Sequence, residues 1–126
     1  MASNIKKPIP IYTTKGDLEA FLVYPNIFNL IGEWLGFVTP SREVYSIRGE
    51  YAGWLSDDRR ILRKRTYDYS KPKLTPPPTP PKVLPPANLP LAPLMAELGF
   101  DTLDVLLEDP DRLPTADVGE LRPDMD

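Results

Sequence analysis

Seven cationic side chains lie close together in the middle of this sequence, and they are the residues best suited to bind a ligand. Residues 59–73 hold a single acid, Asp68, beside Arg59, Arg60, Arg63, Lys64, Arg65, Lys71 and Lys73. Such a density of guanidinium and ammonium groups predicts a phosphate-binding patch, with Tyr67 and Tyr69 available to stack on the bases of a single-stranded nucleic acid. The candidate anion-binding residues are Arg59, Arg60, Arg63, Lys64 and Arg65. The alternative is a solvated edge strand whose charges prevent pairing between sheets.

The composition lacks two of the residue types that most often take part in catalysis. The chain has 126 residues with no cysteine and no histidine, which excludes thiolate nucleophiles, Cys/His zinc sites and imidazole-based triads. Glu33 and Glu50 are the carboxylates that could form a hydrolytic pair, but each follows a glycine in a predicted turn, where solvation is expected. We therefore expect no enzyme, no catalytic residue, no cofactor and no metal.

The overall charge and hydropathy do not point to a particular partner. The formal net charge is −3, so no global basic field favours nucleic acid. The apolar runs are too short to cross a bilayer, and the N-terminus lacks the apolar stretch of a signal peptide. A cytoplasmic location is the default expectation.

The 17 prolines of the chain are segregated, and they divide the sequence into three segments. Ten of them lie between Pro72 and Pro93, where neither a helix interior nor a central strand can form. The predicted organisation is a β-hairpin body over residues 8–70, a Pro-rich linker over 71–93 and an acidic tail over 94–126.

The predicted body contains a threefold repeat. Residues 11–22, 27–38 and 44–55 align with their glycines in one column, and the neighbouring columns agree in chemistry. Each unit predicts a β-hairpin whose two-residue turn uses the positive φ that glycine allows. The turn pairs are Lys15-Gly16, Ile31-Gly32 and Arg48-Gly49. Because the β-branched Ile31 resists positive φ, a longer loop is the alternative for the second hairpin. A fourth unit begins at Ile61 and has Thr66 where the glycine should be.

The turns also predict the strand register. Ile11 should face Ala20 and Tyr12 should face Glu19, with the equivalent pairs in the other two units. Both faces carry apolar residues, so we expect an all-β fold of three to four pseudo-symmetric hairpins around a common axis, followed by a Pro-rich extended segment and a short C-terminal helix. The fourth hairpin could be completed by residues 7–10, by the tail or by a second chain.

The repeat resembles a known family. Its first unit is Ile-Tyr-x-x-x-Gly-x-x-x-Ala-Phe-Leu over residues 11–22, and its third ends in Gly-Trp-Leu at residues 53–55. These motifs and the Pro-rich extension after them are similar to the bacterial four-fold β-flower proteins, in which hairpins form petals around an axis. The unit from Ile61 departs from that pattern, with Arg63-Lys64-Arg65-Thr66 in place of a glycine turn. The resemblance implies a fold and no activity.

The Pro-rich segment favours an extended polyproline II conformation. A semi-rigid spacer is the simplest interpretation. Two alternatives are a peptide ligand, because Pro77-x-x-Pro80-x-Lys82 matches a pattern read by aromatic grooves, and packing against Trp34 or Tyr51 of its own body.

The acidic tail predicts a docking element. Asp101 to Asp104 can cap a short helix that Pro110 ends, and the candidate docking residues are Leu98, Leu103, Leu106 and Leu107. Such a short helix needs a surface, which could be the β body or a groove on a partner protein. The ten acids of the tail could also fold back on the basic run. The leading hypothesis is a non-catalytic protein-interaction module with an acidic docking tail, and the alternative is nucleic-acid or anionic-surface binding through residues 59–73.

Overall fold

A computed structural model describes residues 7–67 and 69–116 of the chain. Eight strands form one antiparallel sheet in which each strand pairs with the next along the sequence. The strands are β1 (Ile9–Tyr12), β2 (Leu18–Val23), β3 (Asn26–Asn29), β4 (Trp34–Val38), β5 (Glu43–Ser46), β6 (Tyr51–Leu55), β7 (Ile61–Lys64) and β8 (Thr102–Asp104). A short helix, α1 (Val105–Glu108), and a 3₁₀ turn (Pro110–Arg112) follow. The predicted all-β class with a short helix near the C-terminus is confirmed.

The three glycine turns share one geometry, and it is not the predicted two-residue turn. In the first, the Gly16 N–H donates to the Thr13 carbonyl and the Thr13 N–H donates to the Asp17 carbonyl, which leaves three residues in the loop. The same bonds recur in the other two turns, and φ is +87°, +86° and +84° at Gly16, Gly32 and Gly49. The prediction of positive φ at the glycines is confirmed. The predicted two-residue loop was one residue too short, and the second hairpin has the longer loop that was its alternative.

The longer loop shifts part of the strand register. Ile11 pairs with Ala20 as predicted, and Ile27–Gly36 and Val44–Gly53 are the equivalent pairs. Tyr12, however, pairs with Leu18 rather than Glu19, because a bulge between Ile11 and Tyr12 absorbs one residue of the partner strand. The predicted Tyr12–Glu19 pairing is therefore wrong, and its equivalents in the other two units are wrong for the same reason.

The fourth strand pair joins distant parts of the sequence. Strand β7 pairs with β8, which comes from the region predicted as the acidic tail, and Arg63 lies opposite Leu103. Residues 102–104 are therefore strand rather than the expected start of the helix. Helix α1 begins at Val105, where the Asp104 carboxylate caps it by accepting from the Leu107 N–H. Of the three sources considered for the missing strand, the tail of the same chain supplies it.

The sheet buries apolar side chains on both of its faces. One cluster contains an aliphatic residue from each strand pair, such as Ile11, Ile27, Val44 and Ile61, and the tail adds Leu103, Val105 and Leu113. The other face carries Phe37, Tyr45 and Tyr51, against which Tyr67 and Leu74 pack. Residues after the repeat therefore cover apolar surface that the repeat alone would expose. Within the described residues, no helix is long and apolar enough to span a membrane.

Candidate functional site

The Pro-rich segment lies against the tips of the glycine turns, and we call residues 72–96 the strap. The Leu74 N–H donates to the Gly49 carbonyl at 2.9 Å, and the Val83 N–H lies 3.5 Å from the Gly32 carbonyl. Ala92 is the strap residue nearest to Gly16. The strap therefore meets the third, second and first turns in that order, at intervals of nine residues.

Two of the three turns need glycine for a second reason: the strap backbone passes so close to them that a side chain would not fit. A Cβ built on Gly49 would lie 1.9 Å from the Leu74 carbonyl oxygen, and one on Gly32 would lie 2.1 Å from that of Val83. At Gly16 the nearest atom, the Ala92 Cβ, is 4.0 Å away. A side chain at position 49 or 32 would displace the strap, whereas one at position 16 would not.

The strap contains a second repeat, with a period of nine residues. Proline precedes each contact residue by two positions, in Pro72-Lys73-Leu74, Pro81-Lys82-Val83 and Pro90-Leu91-Ala92. Polyproline II has three residues per turn, so a nine-residue period returns every third turn to the same face. This second repeat predicts contact with a repetitive body. A further contact links the Tyr12 hydroxyl to the Pro90 carbonyl.

The outer side of the strap and the turn after it expose large apolar side chains. Leu84, Leu91 and Leu94 are 89%, 93% and 95% exposed, and Phe100 is 91% exposed. Exposed apolar side chains that form one patch are typical of interaction surfaces. We call these four residues the outer apolar edge.

The predicted docking leucines lie in different environments. Leu103 belongs to the core and Leu106 packs against it, so these two contact the β body of the same chain. Leu107 is on the surface, and Leu98 is partly buried. Binding of a partner through these four leucines stays a prediction. Of the four, only Leu107 and Leu98 have side-chain surface that a partner could contact.

The five candidate anion-binding residues differ in burial and in their ion-pair partners. The acids of the tail fold back on the basic run: Arg63 pairs with Asp109, and Lys64 with Asp101. Arg65 pairs with Glu108 and donates to the Phe100 carbonyl. The Arg59 side chain has no hydrogen-bond or ion-pair partner among the described residues, whereas Arg60 is buried. Anion binding by this run stays a prediction.

Tyr67, one of the two tyrosines predicted to stack on bases, and its neighbour Tyr51 each lie beside a cation of the same chain. The Lys71 Nζ lies 5.2 Å from the centre of the Tyr51 ring, and the Arg112 guanidinium lies 4.1 Å from that of Tyr67. The hydrogen bond to Glu43 raises the pKa of Lys71. Tyr69 remains exposed beside these rings. Tyr69 is the tyrosine here with a face most open to a base.

Arg60 is the centre of a buried polar cluster that joins the first and fourth strand pairs. Its side chain is 1% exposed. Its Nε and Nη2 groups donate to the two carboxylate oxygens of Asp58, at 3.0 and 2.6 Å. It also donates to the Thr14 hydroxyl at 3.0 Å and to the Ala96 carbonyl at 2.8 Å. The Thr14 N–H and hydroxyl in turn donate to Asp104, at 2.6 and 2.7 Å. The cluster therefore links a turn, a loop, the strap and β8.

The hydrogen bonds of this cluster shift the titration of Asp58. Burial on its own would raise the pKa of this carboxyl, but the bonds from Arg60, Ser56 and the Ala96 N–H outweigh it and lower the pKa. A lowered pKa in the folded state stabilises the fold above the ordinary value of 3.8, and the contribution is lost as the pH falls through the lowered value.

Asp58→Asn should therefore make the free energy of unfolding depend less on pH in the acid range. We expect the gap in urea midpoint between the parent protein and this variant to be largest near neutral pH and to close as the pH falls through the lowered pKa of Asp58. Asp57→Asn is the matched control, because Asp57 is fully exposed and its carboxylate lies 3.7 Å from Arg42. Equal acid profiles for the two variants would contradict the role of the cluster.

Within residues 7–67 and 69–116, no group of three or more Asp or Glu side chains could hold a metal ion. The exposed apolar side chains of the outer apolar edge are a different kind of candidate site. The family model described as "4-fold beta flower protein" matches residues 9–98. Comparisons with curated proteins and with solved structures gave no significant match.

Proposed function

This chain belongs to the 4-fold beta flower protein family, and we propose that it is a non-catalytic protein-interaction module whose binding surface is the outer apolar edge. The observation that carries this proposal is the near-complete exposure of Leu84, Leu91, Leu94 and Phe100, on or directly after the strap. A strap fixed on its inner side presents these residues without the ordering cost that a flexible peptide would meet on binding.

The proposal includes the arrangement of the body. We propose four petals around a common axis, formed by the pairs β1–β2, β3–β4, β5–β6 and β7–β8. Closure between the first and fourth petals is supported by the bonds from Thr14 to Asp104 and by the Tyr12 N–H donating to the Arg59 carbonyl at 2.8 Å. In this arrangement the acidic tail completes the body, and the strap rather than the tail faces the partner.

The chemistry of the partner follows from the strap. A polyproline II segment with protruding leucines fits a groove lined by aromatic rings, which takes up prolines and apolar side chains together. Leu91 and Leu94 are close in sequence and together offer one apolar anchor. We propose a protein partner with such a groove.

Site-directed photo-crosslinking in the source cell tests this proposal. A photoreactive residue in place of Leu84 should give discrete protein adducts, and the double substitution Leu91→Ser and Leu94→Ser should abolish them while changing the free energy of unfolding by less than about 0.5 kcal/mol. Ile31 is the control position, because it is 62% exposed and lies at the tip of a petal rather than on the strap. The same adducts from both positions, or adducts that survive the double substitution, would refute the outer apolar edge as the binding surface.

A further inference from the structure

A row of aromatic side chains runs from the interior of the protein to its surface. Phe37, Tyr45, Tyr51, Tyr67 and Tyr69 contact one another in that order, with ring centres 5.7, 5.6, 6.3 and 4.7 Å apart. The first three rings belong to the sheet and are buried, whereas Tyr69 is 86% exposed. Among the described residues, Tyr67 is the only aromatic neighbour of Tyr69. The row therefore ends at the surface in a ring that a further ring could join.

The ring before Tyr69 in this row is held on two sides. The Tyr67 hydroxyl donates to the Tyr51 carbonyl at 2.7 Å, and the Arg112 guanidinium lies 4.1 Å from the centre of the Tyr67 ring. Tyr69 packs against this ring edge to face, with an angle of 70° between the two planes. A flat ligand that stacks on Tyr69 would therefore meet a ring that is already supported, which lowers the entropy cost of binding.

Cationic side chains surround the exposed end of the row. A cavity of about 330 Å³ lies beside the tyrosines, and its charged lining residues are Lys71, Lys73, Arg112 and Glu50. Three cations against one acid make this cavity attractive to an anion, although the chain as a whole carries a net charge of −3.

The three cations of this cavity differ in how far their charges are already paired. Lys71 pairs with Glu43, and Arg112 pairs with Asp109. Lys73 is exposed, and its side chain has no hydrogen-bond or ion-pair partner within the part of the chain that the structure describes. A ligand that suits the cavity therefore combines a flat aromatic ring, which stacks on Tyr69, with a negative charge, which binds Lys73.

We infer that this cavity binds a segment of single-stranded nucleic acid, with one base on the Tyr69 ring and a neighbouring phosphate at Lys73. Stacking on aromatic rings and contact between cations and phosphates are the two means by which proteins hold single strands without reading their sequence. The site lies at the C-terminal end of the run 59–73, beyond the cations that the acidic tail pairs. None of its residues belongs to the outer apolar edge, so the inference is independent of the proposed interaction with a protein.

Titration of the full chain with short oligothymidine and oligouridine strands at low salt tests the inference by fluorescence anisotropy and by amide chemical shifts. We expect saturable binding that weakens as salt rises and that shifts amides around the cavity. The tighter of the two strands identifies the preferred sugar. Inorganic polyphosphate has no ring to stack, so it should bind at least about fivefold more weakly. Equal affinity for polyphosphate, no saturable binding of either strand, or shifts confined to residues outside the cavity would overturn the inference.

Two exposed side chains of the cavity give the second arm of the test. Tyr69→Ala should weaken binding of the strand at least about fivefold, whereas Tyr69→Phe keeps the ring and should retain it. Lys73→Gln removes one phosphate contact and should reduce the slope of log K against log salt by about 0.7. Lys15→Gln is the control, since Lys15 is an exposed cation in the first glycine turn. Unchanged binding in Tyr69→Ala, or equal salt slopes in the Lys73 and Lys15 variants, would refute the assignment.

Discussion

Gly49→Ala is expected to lower the free energy of unfolding by about 3 kcal/mol or more. A left-handed conformation costs an alanine about 1–2 kcal/mol, and φ at Gly49 is +84°. The new Cβ would also lie 1.9 Å from the Leu74 carbonyl oxygen, so the strap must move and lose the 2.9 Å hydrogen bond from Leu74 to Gly49. That bond contributes a further amount on the order of 1 kcal/mol.

Gly16→Ala is the matched control for this prediction, because it has the same backbone conformation without the close contact. Its φ is +87° and the nearest atom to its Cβ is 4.0 Å away, so we expect a loss of only about 1–2 kcal/mol in urea unfolding. Trypsin provides a local measurement, since the Lys73–Leu74 bond lies at the contact with Gly49. Cleavage there should accelerate in Gly49→Ala and not in Gly16→Ala, and equal behaviour of the two variants would contradict the role of the strap.

The repeat could be predicted from sequence because its information is local. Each unit carries its glycine, its aromatic column and its small column within twelve residues, and this was enough for the pairing of Ile11 with Ala20. The bulge was missed because a three-residue loop and a two-residue loop both place glycine at the last position of the loop. The positive φ at Arg42 and Arg59 was missed for a related reason, since turn chemistry directs attention to glycine and asparagine.

The long-range contacts could not be assigned from local patterns. Arg63 and Leu103 pair across a stretch that contains ten prolines, and nothing near either residue specifies the other. The complementary charges of the basic run and the tail predicted that they meet, but not which cation pairs with which acid. Arg59 and Arg60 are adjacent and identical in type, yet one is on the surface and the other is buried. Arg60 binds Asp58 and the Ala96 carbonyl in the interior, whereas the Arg59 side chain has no such partner among the described residues.

Arg60→Gln is expected to destabilise the fold by about 3–5 kcal/mol, as removal of one partner from a buried ion pair does. The substitution leaves the Asp58 carboxylate without its bidentate partner and leaves the Ala96 carbonyl without the Arg60 donor. The end of the strap and the loop after β6 would then lose their common anchor. Urea unfolding at neutral pH measures the effect.

The neighbouring variant and a double-mutant cycle make this prediction specific. Arg59→Gln removes the same charge one residue away and should cost less than about 0.5 kcal/mol, because that side chain is exposed. The double variant of Arg60→Gln with Asp58→Asn should be less destabilised than the sum of the single variants, since the second change removes the unpaired charge created by the first. Additive effects in the cycle, or equal costs at positions 59 and 60, would show that the cluster does not hold the first and fourth strand pairs together. The expected result would instead make the link between the first and fourth strand pairs depend on one buried arginine, which lies directly before the unit that lacks a glycine turn.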